Sequence, residues 1–251
     1  MQRPTNFTLN RRHPLAKGLV FAGLGGFQCP GTLKYADSSG FGNHGTLTTM
    51  DPATDWVWDT ELGRWVLDFD GSNDIIPTSY VGNIITRYSF TLSCWIRPNN
   101  TSAFKTWINL GGETIKFRFD PAGSGKASWY SGVASYVANT VLTTGTLYHI
   151  ALRWEYGGNR NIYLNGAYDG ADQSVSGPSI NATPLYIGAQ YNGSNAFAGQ
   201  IADSLVHDRA LSVPEIQLLA SRDPMLGGLI QAPRRRFHAA VDTSKRYWVG
   251  V

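Results

Sequence analysis

Charge, sulfur and long apolar runs are all scarce in this sequence. Only 16% of its 251 residues are charged, and only four of its 18 acids are glutamates. A chain so poor in Glu and Lys is neither a coiled coil nor a solvated disordered segment. No apolar stretch approaches the ~20 residues that cross a bilayer; Gly18 to Phe27, the longest candidate, is broken up by glycine. An apolar leader core is also missing, because Thr5-Asn6 is followed by Asn10-Arg11-Arg12-His13 where that core would begin. The reading therefore expects no membrane partner and no ordinary export. Cysteine is limited to Cys29 and Cys94. No Cys/His cluster has zinc spacing. Cys94, inside the apolar run Phe90 to Ile96, reads as a buried thiol acting as a small hydrophobe. Spacing alone does not settle whether the two cysteines pair.

What is abundant points to β-structure. There are 28 glycines, eight tryptophans, 12 tyrosines and 11 phenylalanines, and 42% of residues are hydrophobic, enough for a sizeable core. Short runs with period-two alternation recur: Trp65 to Phe69, Phe90 to Ile96, Trp107 to Leu110, Ile115 to Phe119, Tyr148 to Trp154, Asn161 to Leu164 and Pro184 to Ile187. Turn pairs such as Asp70-Gly71, Gly111-Gly112, Asn165-Gly166 and Asn192-Gly193 separate them. Many short strands at this spacing predict an all-β sandwich or barrel. One segment departs from the pattern: Ser212-Val213-Pro214-Glu215 is a helix-start signature, followed by Ile216, Leu218 and Leu219 at helical spacing. One short C-terminal helix is expected there.

Charge is unevenly placed. Residues 1–20 carry Arg3, Arg11, Arg12 and Lys17 with no acid, and residues 221–251 carry a net +4, including Arg234, Arg235 and Arg236. The 200 residues between them sum to −5. The sequence thus reads as an extended basic arm (1–18), one domain (19–221) and a basic tail (222–251). Basic arms attach to acidic surfaces. With no aromatic-basic interleaving and no nucleic-acid motif, an acidic protein surface is the expected partner rather than nucleic acid. Arg11, Arg12 and Arg234 to Arg236 are the candidate contacts.

Five segments resemble the laminin-G-like, concanavalin A-like jelly-roll family. They are Asp37 to Leu47; Leu67 to Asp74; Phe90 to Pro98; His149-Ile150-Ala151 with Ile162 to Gly166; and Phe197 to Asp203 running on to Arg209-Ala210-Leu211-Ser212. They occur in family order. The resemblance implies a two-sheet antiparallel jelly-roll sandwich with one short C-terminal helix and extended terminal arms. It also implies one structural calcium, held by Asp37 and Asn43 of an early loop and Asp203 of the closing motif. Ala202 stands where the family often has a second acid, and Asp37 and Asn43 read equally well as Asx-turn formers. The flanks Arg12 to Val20 and Ala232 to Arg236 resemble those of jelly-roll proteins of tailed bacteriophages. That likeness implies a virion-surface protein, such as a capsid decoration or head-fibre subunit, docked on a major capsid or other virion protein and often a homo-oligomer.

Catalysis is not expected. Glycosidases of this fold use clustered carboxylates, and retaining hydrolysis needs two of them ~5 Å apart. Here Glu61, Glu113, Glu155 and Glu215 are all isolated, and Asp68-Phe69-Asp70 is the nearest imitation. His149 and Ser93 lie on separate strands without a nucleophile elbow. A host-surface glycan is the alternative partner, since lectin-like sites stack aromatic rings on sugars and bond hydroxyls with loop side chains. Trp129, Tyr130, Tyr191 and Asn192, read near turn-like segments, are the candidates. Trp65, Trp95 and Trp154 are expected in the core.

Overall fold

The computed structural model describes residues 8–81, 89–112, 115–131, 135–170, 173–174 and 184–231. Among these residues the strands in the first half of the chain are β1 (Thr8–Leu9), β2 (Leu19–Gly23), β3 (Lys34–Tyr35), β4 (Gly45–Thr46), β5 (Trp56–Asp59), β6 (Arg64–Asp70), β7 (Ile76–Val81), β8 (Phe90–Pro98), β9 (Thr106–Leu110) and β10 (Ile115–Phe119). They are followed by β11 (Lys126–Tyr130), β12 (Ser135–Val141), β13 (Tyr148–Trp154), β14 (Asn159–Leu164), β15 (Ala167–Tyr168), β16 (Gln173–Ser174), β17 (Pro184–Ile187), β18 (Ala198–His207) and β19 (Ile230–Gln231). One α-helix, α1 (Val213–Leu219), follows β18.

Apart from the separate β1–β19 pair, the described strands form two antiparallel sheets packed face to face. One runs β12-β11-β10-β9-β17-β7-β4-β3 and the other β15-β14-β13-β8-β18-β6-β5. In the second sheet β2 also pairs with β18, and β16 with β14. Alternation along each strand sends one set of side chains inward. Phe21, Phe69, Phe90, Cys94, Trp107, Phe117, Phe119, Trp129, Trp154 and Phe197 meet there in one core cluster, all of them buried. Many of the rings meet edge-on, as Phe90 does with Trp154 at 5.5 Å and Trp107 with Phe119 at 5.0 Å, the geometry favoured by aromatic quadrupoles. Cys94 is buried and free, as expected, and Cys29 is exposed and free. Trp95 is buried on the opposite side of its strand, and Trp65 is only partly buried.

The outer side of the β8-containing sheet is capped. Leu211, Ile216 and Leu219 of the α1 region pack on Ala151, Tyr163 and Leu205 of the sheet, joined by Leu15, Leu226, Leu229 and Ile230. Glu215 fixes the helix start by accepting the Ser212 N–H at 2.8 Å, and it accepts two hydrogen bonds from Arg209 at 2.9 and 2.6 Å. Arg209 in turn donates to the carbonyls of Lys17 and Pro14. Residues 8–18 and 222–231 therefore belong to the body of the molecule rather than to extended arms. Leu15 is fully buried, and β1 pairs with β19 through Thr8↔Gln231 and Leu9↔Ile230.

The longest strand, β18, holds the capped sheet together. On one side it lies along β8, and its other edge is shared: Ala198 to Ile201 pair with β6, and Ser204 to His207 pair with β2. The hand-over falls at Asp203, whose φ of 47° lies in the left-handed region. Its carboxylate accepts the Gly25 N–H just after β2, at 2.8 Å, and a hydrogen bond from Arg64 at the start of β6. Asp203 thus ties together the two strands that share this edge, which offsets the cost of its backbone conformation.

Candidate functional site

The outer side of the other sheet is built differently. Ile115, Phe117 and Phe119 of β10 point into the core, so Lys116 and Arg118 point out. Register places Tyr130, Lys116, Asn109 and Tyr186 side by side across β11, β10, β9 and β17. Directly paired residues share a face, so these four side chains form a row on the outer side. Arg118 lies next to Ser128 on the neighbouring row. Among the described residues no helix packs on this face.

The two cations are buried by their neighbours rather than left in water. Lys116 is 4% and Arg118 6% exposed. The Lys116 ammonium lies 5.3 Å from the centre of the Tyr130 ring, and the Arg118 guanidinium 4.6 Å from the same ring and 4.9 Å from that of Phe104. Arg118 also donates to the Ser135 hydroxyl at 3.2 Å. Ring quadrupoles offset part of the cost of desolvating a cation. Phe104 itself is 38% exposed.

Asn109 organises the rim. Its amide donates to the carbonyls of Gly112 and Ile115 at 2.6 and 2.9 Å, and its carbonyl accepts the Tyr191 N–H at 2.8 Å. A single buried side chain thus fixes the Gly111-Gly112 turn and the loop that carries Tyr191. Tyr191 is 41% exposed beside the row. Next to it, the Asn192 side chain accepts from the N–H and hydroxyl of Ser194, an Asx turn that shapes the loop.

The expected saccharide residues therefore separate. Tyr130 and Tyr191 come to one face, and Asn192 supports the loop beside them. Trp129 is a correction: it lies in β11 rather than in a turn, and alternation sends it inward. There it is fully buried against Phe90 at 5.7 Å, with the Arg160 guanidinium 4.7 Å from its ring. It offers no surface to a ligand. Asn109, Lys116 and Arg118 were not singled out from sequence, although a polar residue inside Trp107-Ile108-Asn109-Leu110 and the alternation Ile-Lys-Phe-Arg-Phe both signal an outward polar face.

The three expected calcium ligands are committed elsewhere. Asp37 is buried, and its carboxylate accepts the N–H groups of Ala22 (2.9 Å), Ser39 (2.8 Å) and Asn43 (2.9 Å) and the Ser39 hydroxyl (2.7 Å). Asn43 donates to the Val20 carbonyl. Asp203 faces Arg64, which is 2% exposed. Calcium takes about six to eight oxygens, whereas these carboxylates are engaged by donors and by a guanidinium, so the set as arranged does not fit that ion. Among the described residues no three His, Cys, Asp or Glu side chains converge on a metal position.

Carboxylates elsewhere are similarly engaged. Glu61 pairs with Arg97 and Arg222, Glu155 with Arg153, and Glu215 with Arg209; Glu113 lies outside the described residues. Asp74 is pushed up to about 6 by burial, and it accepts the Asp70 N–H at 2.8 Å while only 3% exposed. Of the expected docking arginines, Arg11 and Arg12 are exposed, with the Arg11 guanidinium against Gly40. Arg234, Arg235 and Arg236 lie outside the described residues.

A two-sheet antiparallel sandwich, capped on one side and lined with aromatic and polar side chains on the other, has jelly-roll architecture. The chain belongs to the concanavalin A-like lectin/glucanases superfamily, whose Laminin_G_3 family profile matches residues 70–217. No curated protein sequence matches the chain significantly. Among solved structures it is similar to domain 4 of AbnA, an extracellular arabinanase from Geobacillus stearothermophilus solved with arabinotriose. That likeness has a TM-score of 0.62 and 17% identity, and covers 81% of this chain and 98% of that one. It is also similar to the ligand-binding domain of botulinum neurotoxin serotype D in complex with N-acetylneuraminic acid, at TM-score 0.59 and 15% identity over 82% of this chain and 51% of that one. A third is the Trypanosoma rangeli sialidase with a difluorosialic acid, at 0.57 and 14%, over 83% of this chain and 33% of that one. The chain thus spans about half of the toxin domain and a third of the sialidase. At these identities the likeness establishes the fold.

Proposed function

We propose that the protein is a non-catalytic carbohydrate-binding module whose saccharide lies on the outer face of the β9–β10–β11 sheet. The observation that carries this is the row of Tyr130, Lys116, Asn109 and Tyr186, rimmed by half-exposed Phe104 and Tyr191, on a face that no described helix covers. Rings at the rim stack on sugar faces, and Asn109 positions Tyr191 through the backbone instead of touching the ligand. The glycan-related neighbours support the same reading. The engagement of Glu61, Glu155 and Glu215 by arginines supports binding without hydrolysis, because a general acid and a nucleophile both need an accessible carboxyl group. Binding of sialyl- and arabino-oligosaccharides by isothermal titration calorimetry tests this. Saturable binding that weakens about tenfold in Tyr191→Ala, the loss of one ring contact worth about 1.4 kcal/mol, is the expected result. Absence of binding to a broad glycan panel overturns it.

A second reading concerns where such a module is displayed. Thr8 of β1 sits opposite Gln231 of β19, so the two ends of the described chain lie side by side. The exposed Arg11 and Arg12, together with the basic sequence beyond Gln231, support anchoring to an acidic lattice such as a bacteriophage capsid, where repetition converts weak contacts into avidity. Co-sedimentation of the full chain with capsids tests this reading: saturable binding that falls when Arg11 and Arg12 are replaced by Ser supports it, and no binding ends it.

A further inference from the structure

Resting on the saccharide-face reading above, we infer that this face takes a run of linked sugars laid along β9 and β10, with Phe104 on one unit and Tyr191 on another, rather than a single terminal sugar. Strand β9 sets the spacing of the two rings. Towards its start, the Thr106 hydroxyl donates to the Phe104 carbonyl at 2.8 Å, and the Phe104 ring lies over Arg118, the cross-strand partner of Thr106. Towards its end, the Asn109 side chain accepts the Tyr191 N–H at 2.8 Å. Three residues of extended chain separate Thr106 from Asn109, a span of about 10 Å. The loop that carries Tyr191 is pinned at both places, because the Thr106 N–H also donates to the Asn195 carbonyl at 2.9 Å.

Phe104 is displayed at a cost. Its φ of 66° lies in the left-handed region, which a bulky side chain rarely adopts and where glycine would be free of strain. Strain of this kind persists where a site uses the side chain it presents. The ring is 38% exposed and that of Tyr191 41%, although Thr106, Asn109 and Arg118 beside them are buried. The fold therefore holds two aromatic surfaces in place without covering either. A single sugar ring is shorter than the distance between their anchor points, so it stacks on one of them. A chain of sugars reaches both. Because both anchors are already fixed by β9, the second contact adds affinity with little further ordering of the protein.

Calorimetry on the full chain with two length series tests this: arabinose through arabinopentaose, and N-acetylneuraminic acid through its linear pentamer. In a series that binds, the trisaccharide is expected to bind at least about tenfold tighter than the monosaccharide, and the gain levels off once the chain spans both rings. Phe104→Ala and Tyr191→Ala are each expected to remove that gain. Monosaccharide binding, served by the remaining ring, persists in both variants and shows that they fold. A glycan that binds only on the broad panel is compared with its own terminal monosaccharide, with the same expectation. Affinity that does not rise with chain length, or that falls equally at every length in both variants, overturns the inference and leaves the saccharide reading in place. Failure of every sugar, in these series and on the panel, overturns both.

Discussion

The two sheets present outer faces of opposite character. On the capped face, helix α1 with residues 9–16 and 225–230 buries an apolar layer, and the ionisable groups beneath are either paired, as Arg64 is with Asp203, or neutral, as His149 and His207 are. On the polar face Lys116 and Arg118 lie against aromatic rings, with half-exposed rings at the rim. Both faces bury charge, but on one it lies beneath α1 and its neighbours and on the other beneath aromatic rings that are themselves half-exposed. Burial alone therefore does not mark a site; what covers the buried group does.

The largest effect that distinguishes the faces is expected from Asp203→Asn. The change leaves the Arg64 guanidinium buried without its counter-charge, and such a loss costs about 3–5 kcal/mol. Chemical denaturation should show it, while neither calcium nor a chelator moves the wild-type melting midpoint. A calcium-dependent rise in that midpoint would overturn the assignment of Arg64 as the cation Asp203 is built for.

Acid should also act mainly through the capped face. Burial pushes His149 down to about 3, with the Arg64 charge adding to the shift, and burial pushes His207 down to about 4. The unfolded chain takes up these protons near pH 6.5 and the native state does not, so stability is fully present above pH 6.5 and is lost as pH falls toward 4 and then 3. The loss is on the order of a few kcal/mol. Asp74 works in the opposite sense: raised to about 6, it gains stability on protonation as pH falls through that value. A denaturation series from pH 7 to 4 should decline in the wild type, flatten in His149→Phe and steepen in Asp74→Asn. A flat wild-type profile would show that the two histidines are not held neutral.

Trp58→Ala should have the smallest effect. This ring is 50% exposed on the edge strand β5, at 5.6 Å from Trp65, and belongs to neither face. Stability should change by under about 1 kcal/mol and saccharide affinity not at all. A loss of binding in this variant would move the saccharide site to that edge.

The sandwich was legible where alternation and turn chemistry agreed. The observed limits of β10, β13 and β17 coincide with the alternating runs in the sequence, and α1 begins directly after the Ser212 signature. Strand β11 was hidden because Lys126-Ala-Ser-Trp-Tyr mixes small and polar residues between glycine-rich turns; reading it as a turn made Trp129 look accessible. Residues 8–18 and 222–231 pack on the body for a reason the sequence did not carry. Charge placement suggested extended arms, while the pairing of Asn10 with Gly228 joins positions 218 residues apart and leaves no local trace. At the candidate site the alternation of β10 was plain, but alternation reports only which residues share a side. That Tyr130 and Phe104 close over those two cations depends on strand neighbours that periodicity does not reveal.

The position of β18 has a consequence for biosynthesis. It supplies the partner edge for β8, β6 and β2, all synthesised long before it. A nascent chain that has passed β13 can join it to β8, but the opposite edge of β8 must wait, with its hydrogen-bonding groups unsatisfied, until Ala198 to His207 leave the ribosome. Exposed strand edges of this kind invite pairing with other chains. The protein's vulnerable interval is therefore set by translation: pausing or premature termination between β13 and β18 leaves a half-built sheet prone to aggregate.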